Sequence, residues 1–488
     1  MRRLARLLVP LLAVPLVTGP AMAEARPLAR YYSQHLAWSG CGGGFECADL
    51  KVPLDYGKPN GEQLKIKVIR LKASGKDRIG SVVLNPGGPG GSGVDYAKAA
   101  KTVVSPQIRA RFDVVGFDPR GVAGSSPVHC VTSKQMDRYA ALDSTPDTPA
   151  EAKALRAGAK EFADSCKARA GRILAHVGTA DAARDMDVLR AALGDKGLTY
   201  LGKSYGTYLG ATYADLFPRN VRTMVLDGAL DPTLSSFKLN VAQAKGFEVA
   251  FAAFAEDCFK AQDCPFAGST ADAAFAETAA LLKKADKKPL RNTQDKRKIN
   301  ESIAVMGILT PLYDHQAWPV LRIALKQAFK GDGTILLRIS DLYYERKDDG
   351  SYSNQTDANL AVNCLDHPTT RNPAVYEKQA REAAKIAPHF GAYIGGGANP
   401  CVYWPVKATG KDRALHAKGA PPILVVGTKR DPATPYAWAQ ALATQLKSGV
   451  LLSYDGDGHT AYRTGSTCVD KAVDAYLIGK SVPETRDC

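Results

Sequence analysis

Beyond its first 17 residues the sequence has no run approaching the ~20 apolar residues of a bilayer-spanning helix, which excludes a multi-span membrane protein. It has no CxxC pair, so its ten cysteines do not read as a zinc ligand set, and no metal is expected. It has no internal repeat and no low-complexity block, so neither a solenoid nor a disordered array is expected. No basic patch accompanies the formal charge of +15. The positive side chains are scattered, densest over residues 283–298, where they read as a solvated surface. No nucleic-acid partner is expected from such a distribution.

What is present fits an exported globular protein. Arg2, Arg3 and Arg6 precede an apolar run over residues 7–17, which Pro10 and Pro15 interrupt. Ala21-Met22-Ala23 then offers a small-x-small cleavage site, the order of a secretory leader. A leader over residues 1–23 is expected, with secretion, a mature N-terminus near Glu24 and no stable membrane anchor. No cysteine stands at the cleavage point to carry a lipid. An even number of cysteines agrees with an oxidising destination. Short loop closure favours neighbours along the chain, pairing 41–47, 130–166, 258–264, 364–401 and 468–488, while spacing leaves other connectivities open.

The 488 residues exceed one minimal core, and 45% hydrophobic with 23% charged residues is the balance of a folded chain. Short apolar runs at 81–84, 112–117, 198–201, 223–227, 423–427 and 450–454 read as buried parallel strands. Helical spacing over 180–193 and 207–216 alternates with them, which predicts an α/β sheet covered on both faces. The alternation stops near Pro232. Helical patterns at 237–258 and 271–284 follow, and strand signals resume at Ile423. The expected organisation is a first core segment over 24–231, an inserted and mostly helical lid over 232–420, and a final core segment over 421–488.

Gly202-Lys203-Ser204-Tyr205-Gly206 fits G-x-S-x-G between a predicted strand and a predicted helix. In that setting the serine sits on a sharp turn, with its hydroxyl raised above the sheet, and glycines on either side avoid a clash. Upstream, the glycine-rich loop over residues 85–93 follows another predicted strand. Such a loop lets a backbone N–H of Gly87 or Gly88 face an oxyanion, with a second N–H from Tyr205. That loop has neither the G-K-[ST] ending nor the G-x-G-x-x-G and acidic partner of a phosphate cradle. The elbow implies an α/β-hydrolase fold, whose triad runs serine, acid, histidine along the chain. Of eight histidines only His459 follows a late predicted strand. Asp431, in the loop after residues 423–427, is the expected orienter, with Asp455 and Asp457 as rivals. Thr434 and Pro435 read as an N-cap and first residue of the next helix. No cofactor is required by this chemistry.

With these residues in hand, the sequence resembles the secreted tripeptidyl aminopeptidases of actinomycete type, α/β-hydrolases related to proline iminopeptidases that carry a helical cap. The matching stretches are residues 47–56 (CADLKVPLDY), the loop over 85–93, residues 112–127 (FDVVGFDPRGVAGSSP), the Ser204 elbow, residues 226–232 (LDGALDP), residues 363–366 (NCLD), and the Asp431 and His459 loops. Pro86 stands where iminopeptidases usually carry histidine, as in the tripeptidyl branch. After Asp118-Pro119-Arg120 the chain reads Gly121-Val122-Ala123-Gly124, where the family often has Gly-Thr-Gly.

The resemblance implies an exopeptidase that releases tripeptides from free N-termini of peptides or proteins. Such an enzyme must bind the substrate ammonium at a fixed distance from Ser204, and a buried carboxylate suits a desolvated cation. Asp366 is the expected clamp and Asp227 the runner-up, while an Asp that caps a helix or turn is the competing reading of Asp366. An esterase or lipase on the same triad is the alternative activity, and an inactive binding protein of the same fold is the alternative class. Oligomeric state is not readable from the sequence.

Overall fold

The computed structural model describes residues 28–397 and 399–488, so the expected leader lies outside the described residues. One nine-stranded sheet organises the chain, in the order β1-β2-β3-β5-β4-β6-β7-β8-β9. The strands are β1 (Ser39–Gly40), β2 (Phe45–Pro53), β3 (Gln63–Leu71), β4 (Gly80–Asn85), β5 (Phe112–Phe117), β6 (Leu198–Lys203), β7 (Val221–Asp227), β8 (Ile423–Arg430) and β9 (Gly449–Asp457). From β5 through β4 to β9 every neighbour is parallel. The pairs β1/β2, β2/β3 and β3/β5 are antiparallel.

The six parallel strands coincide with the six apolar runs of the sequence. All six residues of β4 and all six of β5 are buried, as expected where helices cover both faces. Three further strands precede residue 80 that no apolar run announces. In β3, Leu64, Ile66 and Val68 point inward and alternate with Gln63, Lys65 and Lys67, a half-exposed pattern of period two.

Four helices bear on the site: α1 (Thr179–Ala192), α2 (Tyr205–Leu216), α3 (Ser236–Cys258) and α4 (Gln355–Asp366). Between β7 and β8 the chain is helical from Ser236 to Gly396, with only isolated bridges among its described residues. That stretch packs its own core, in which Phe251 meets Phe254, Phe275 and Phe390. Five disulfides join Cys41–Cys47, Cys130–Cys166, Cys258–Cys264, Cys364–Cys401 and Cys468–Cys488, each a neighbour along the chain.

The chain runs from β4 outward to β5, then back across β4 to β6. This reversal is a topological switch point, where the loops leaving the carboxyl ends of two neighbouring strands diverge and open a crevice. The glycine-rich loop leaves β4 and the Ser204 turn leaves β6, so both border that crevice.

Candidate active site

Ser204 occupies the turn between β6 and α2 with φ 56° and ψ −127°, a left-handed backbone that a β-carbon disfavours. The turn is held by the Ser204 N–H donating to the Asp227 carbonyl at 2.9 Å. The flanking glycines are required by contact. A Cβ on Gly202 would lie 2.4 Å from the Gly206 carbonyl oxygen, and one on Gly206 would lie 2.8 Å from Asn85 Oδ1. Residues 197–204 also spell G-x-x-x-x-G-K-S, a phosphate-loop pattern. Most of that stretch is β6, however, so its N–H groups serve the sheet rather than a phosphate.

The glycine-rich loop lies directly against this turn. A Cβ on Gly87 would fall 2.8 Å from Ser204 Cβ and 3.0 Å from the Tyr205 nitrogen. The Gly87 N–H itself is donated to Asn85 Oδ1 at 3.0 Å. Of the expected donors, Gly87 is therefore spent on its own loop, which corrects that part of the sequence reading. Gly88 N–H and Tyr205 N–H remain the expected donors, the latter at the N-terminus of α2, where helix N–H groups have no partner within the helix.

Asp431 and His459 stand together. His459 Nδ1 lies 2.9 Å from both Asp431 carboxylate oxygens. Asp431 is fully buried and also accepts from Ala433 N, Thr434 N, Thr434 Oγ1 and Thr460 N. The rivals Asp455 and Asp457 are engaged by Arg430 instead. With Nδ1 occupied, His459 Nε2 is buried and without a hydrogen-bond partner among the described residues. The helical segment reaches this loop, because the Tyr313 carbonyl accepts the backbone N–H of His459 at 2.7 Å and the Tyr313 ring meets the imidazole edge-on at 5.5 Å. Gly228 connects the two halves. It follows Asp227, whose carbonyl holds Ser204, and a Cβ on it would lie 3.2 Å from His459 Cε1.

Thr434 is the residue that sequence reasoning misplaced. Pro435 is the residue that precedes the next helix, Tyr436–Gln445. The Thr434 hydroxyl donates to Asp431 Oδ2 at 2.9 Å and lies 3.3 Å from His459 Nδ1. The Asp-x-x-Thr spacing carried that signal, since a loop aspartate commonly gathers donors two and three residues on.

The two candidate ammonium clamps are committed elsewhere. Asp227 is fully buried, and its oxygens accept Ala461 N at 2.9 Å and Tyr462 N at 3.0 Å. It anchors the loop behind His459. Asp366 ends α4, and both its oxygens are taken by Thr179, one by the N–H at 2.9 Å and one by the hydroxyl. It caps the first turn of α1 from another element, satisfying an N–H that the helix leaves open. Burial outweighs these bonds and pushes the Asp366 carboxyl up to about 6. The only described residues grouped as metal ligands would be are Asp143, Glu151 and Asp286. Glu151 there accepts N–H groups at its own helix start.

A serine on a strained turn and a histidine oriented by a buried carboxylate, at the carboxyl edge of one mostly parallel sheet, fit a serine hydrolase of the α/β-hydrolase fold. Comparison with known proteins narrows this. Residues 387–488 match the family described as TAP-like protein. The chain is 40% identical over 452 residues to serine protease Hip1 of Mycobacterium tuberculosis, covering 90% of this chain and 86% of that protein. It is 38% identical over 446 residues to carboxylesterase B of the same organism, covering 90% and 85%. It is 32% identical over 477 residues to the tripeptidyl aminopeptidase of Streptomyces coelicolor, covering 94% and 86%. The chain belongs to this TAP-like family of serine hydrolases and is a serine peptidase.

Proposed function

We propose that the protein is a secreted exopeptidase that releases tripeptides from free N-termini, with Ser204, Asp431 and His459 as its triad. The observation that carries this is the His459 ring, whose Nδ1 is fixed by Asp431 while its buried Nε2 has no partner among the described residues. Ser204 Oγ attacks the scissile carbonyl, His459 Nε2 takes the hydroxyl proton, and the same proton passes to the leaving amine. Gly88 N–H and Tyr205 N–H bind the oxyanion. Water then repeats the cycle on the acyl-enzyme. Residues 232–420 act as the lid over this crevice, between core segments 24–231 and 421–488. Peptide or protein N-termini are the substrates.

The name of the Streptomyces relative supports tripeptide release, and the name carboxylesterase B supports an esterase reading on the same triad. One comparison separates them. Tripeptide p-nitroanilides with a free amine should be cleaved much faster than their N-acetylated forms or short acyl esters. Equal rates on free and acetylated peptides would sink the exopeptidase reading. Ser204→Ala should lose both turnover and labelling by a fluorophosphonate probe.

A further inference from the structure

Gln355, Asn359, Asn363 and Asp366 recur along α4 at spacings of four, four and three residues, so they form one polar stripe on one face. A polar stripe on a helix within a packed molecule needs partners, and those of Asn359 and Asp366 lie in the two loops that border the crevice or against them. At the first end, the Gln355 carbonyl oxygen lies 2.5 Å from where a Cβ on Gly90 would sit, so the glycine-rich loop rests on the helix backbone. Asn359 Nδ2 donates to the Pro89 carbonyl at 3.0 Å, one residue past Gly88. Asn363 Nδ2 donates to Asn359 Oδ1 at 3.0 Å, which fixes the orientation of that amide. At the other end, Asp366 holds Thr179, and the Thr179 hydroxyl is bonded in turn to the Tyr205 hydroxyl. All three of these side chains are buried, at 5%, 1% and 7% exposure. The disulfide Cys364–Cys401 ties the same turn of the helix to a neighbouring segment.

We infer that α4 sets the width of the oxyanion hole, with Asn359 positioning the loop that carries Gly88 N–H and Asp366, through Thr179, positioning Tyr205. The two donors come from loops after different strands; contact of Gly87 with the Ser204 turn limits how closely the loops approach, and α4 holds both from the far side. None of these side chains touches the reacting atoms, so they are positioning residues. The inference rests on the proposed catalytic role of Ser204.

The test uses the whole enzyme and the variants Thr179→Val, Thr179→Ser, Tyr205→Phe and Asn359→Ala. Each is assayed for kcat and KM on a free-amine tripeptide p-nitroanilide. Each is also titrated with a peptide aldehyde of the same sequence. On the aldehyde, Ser204 Oγ bonds to the carbonyl carbon, the hydroxyl proton goes to His459, and the aldehyde oxygen becomes the oxyanion. Deleting an oxyanion donor outright costs ~10²–10³ in kcat, so a displaced donor should cost about tenfold. Thr179→Val, Tyr205→Phe and Asn359→Ala should each lower kcat by that factor and weaken the aldehyde in proportion. KM should stay within about twofold, since ground-state binding is untouched. Thr179→Ser, which keeps the hydroxyl, should restore both. Tyr205→Phe cuts the same link from its other end, so a fold defect in Thr179→Val leaves the question answerable. Unchanged kcat and aldehyde affinity, or a rise in KM alone, in an enzyme that Ser204→Ala inactivates, overturns the inference. Activity surviving Ser204→Ala overturns instead the reading on which it rests.

Discussion

At the scale of single residues, the site depends on side chains whose partners are distant in sequence. Thr434 braces the Asp431–His459 pair from the acid side. Thr434→Val should lower kcat about tenfold with little change in KM, and Thr434→Ser should recover most of it, by steady-state assay. Asp366→Asn should leave the preference for a free over an acetylated amine intact, because both oxygens already serve Thr179. A collapse of that preference would return Asp366 to the clamp role. Asp357 tests the cost of burial. Its carboxyl is pushed up to about 7, chiefly by burial, and one of its oxygens has no partner among the described residues. The native state then binds this proton more tightly than the unfolded chain does. The contribution is largest near pH 4, falls as pH rises through about 7, and is flat above, a loss on the order of a few kcal/mol. Urea unfolding at pH 5 and pH 8 should show a smaller difference for Asp357→Asn than for the parent. The Ser204 turn and the Asp431–His459 pairing were legible because each of these residues sits in a short loop whose neighbours announce it. The bonds of Asp366 to Thr179 were not legible, because that partner is 187 residues away and local sequence shows only an unexplained acid.

At the scale of elements, the parallel strands were legible because residues covered on both faces must be apolar. The strands β1 to β3 were not, since β1 is two exposed residues, β2 mixes half-buried with buried residues, and in β3 exposed lysines interrupt the apolar pattern. Helix α4 also escaped notice. Its polar stripe dilutes the apolar periodicity by which helices are usually read. The segment after β5 shows how elements are pinned together. Arg120 is fully buried and bonded to Asp185 through two nitrogens, and it donates to the carbonyls of Pro53, Leu54 and His176. One guanidinium thus fastens the end of β2, the loop before α1 and α1 itself. Arg120→Leu should destabilise the fold by about 3–5 kcal/mol, because it strands Asp185 as a buried charge. Arg120→Leu combined with Asp185→Leu should be less harmful than the sum of the two single changes, as denaturant titration would show. Strict additivity would mean that the pair is not the fastening.

At the scale of the whole molecule, the described cysteines are all paired and the cross-links are spread from residue 41 to residue 488. Constraint of the unfolded chain is worth ~2–4 kcal/mol per bond in the typical case, so reduction should lower the melting temperature in several steps. Thiol counting under denaturation should find no free cysteine before reduction and ten after it. The pairing of neighbours was legible because loop closure is cheapest over short separations, although that rule only ranks the possibilities. The long helical stretch between β7 and β8 has one more effect, on time rather than shape. It separates Ser204 from His459, the proposed nucleophile and base, by about 250 residues, and translation adds ~5–20 residues per second. A nascent chain therefore carries the Ser204 turn for tens of seconds with no histidine to activate it. On the proposed triad, such a chain stays inert as a hydrolase until His459 has been made, a delay set by order of synthesis alone.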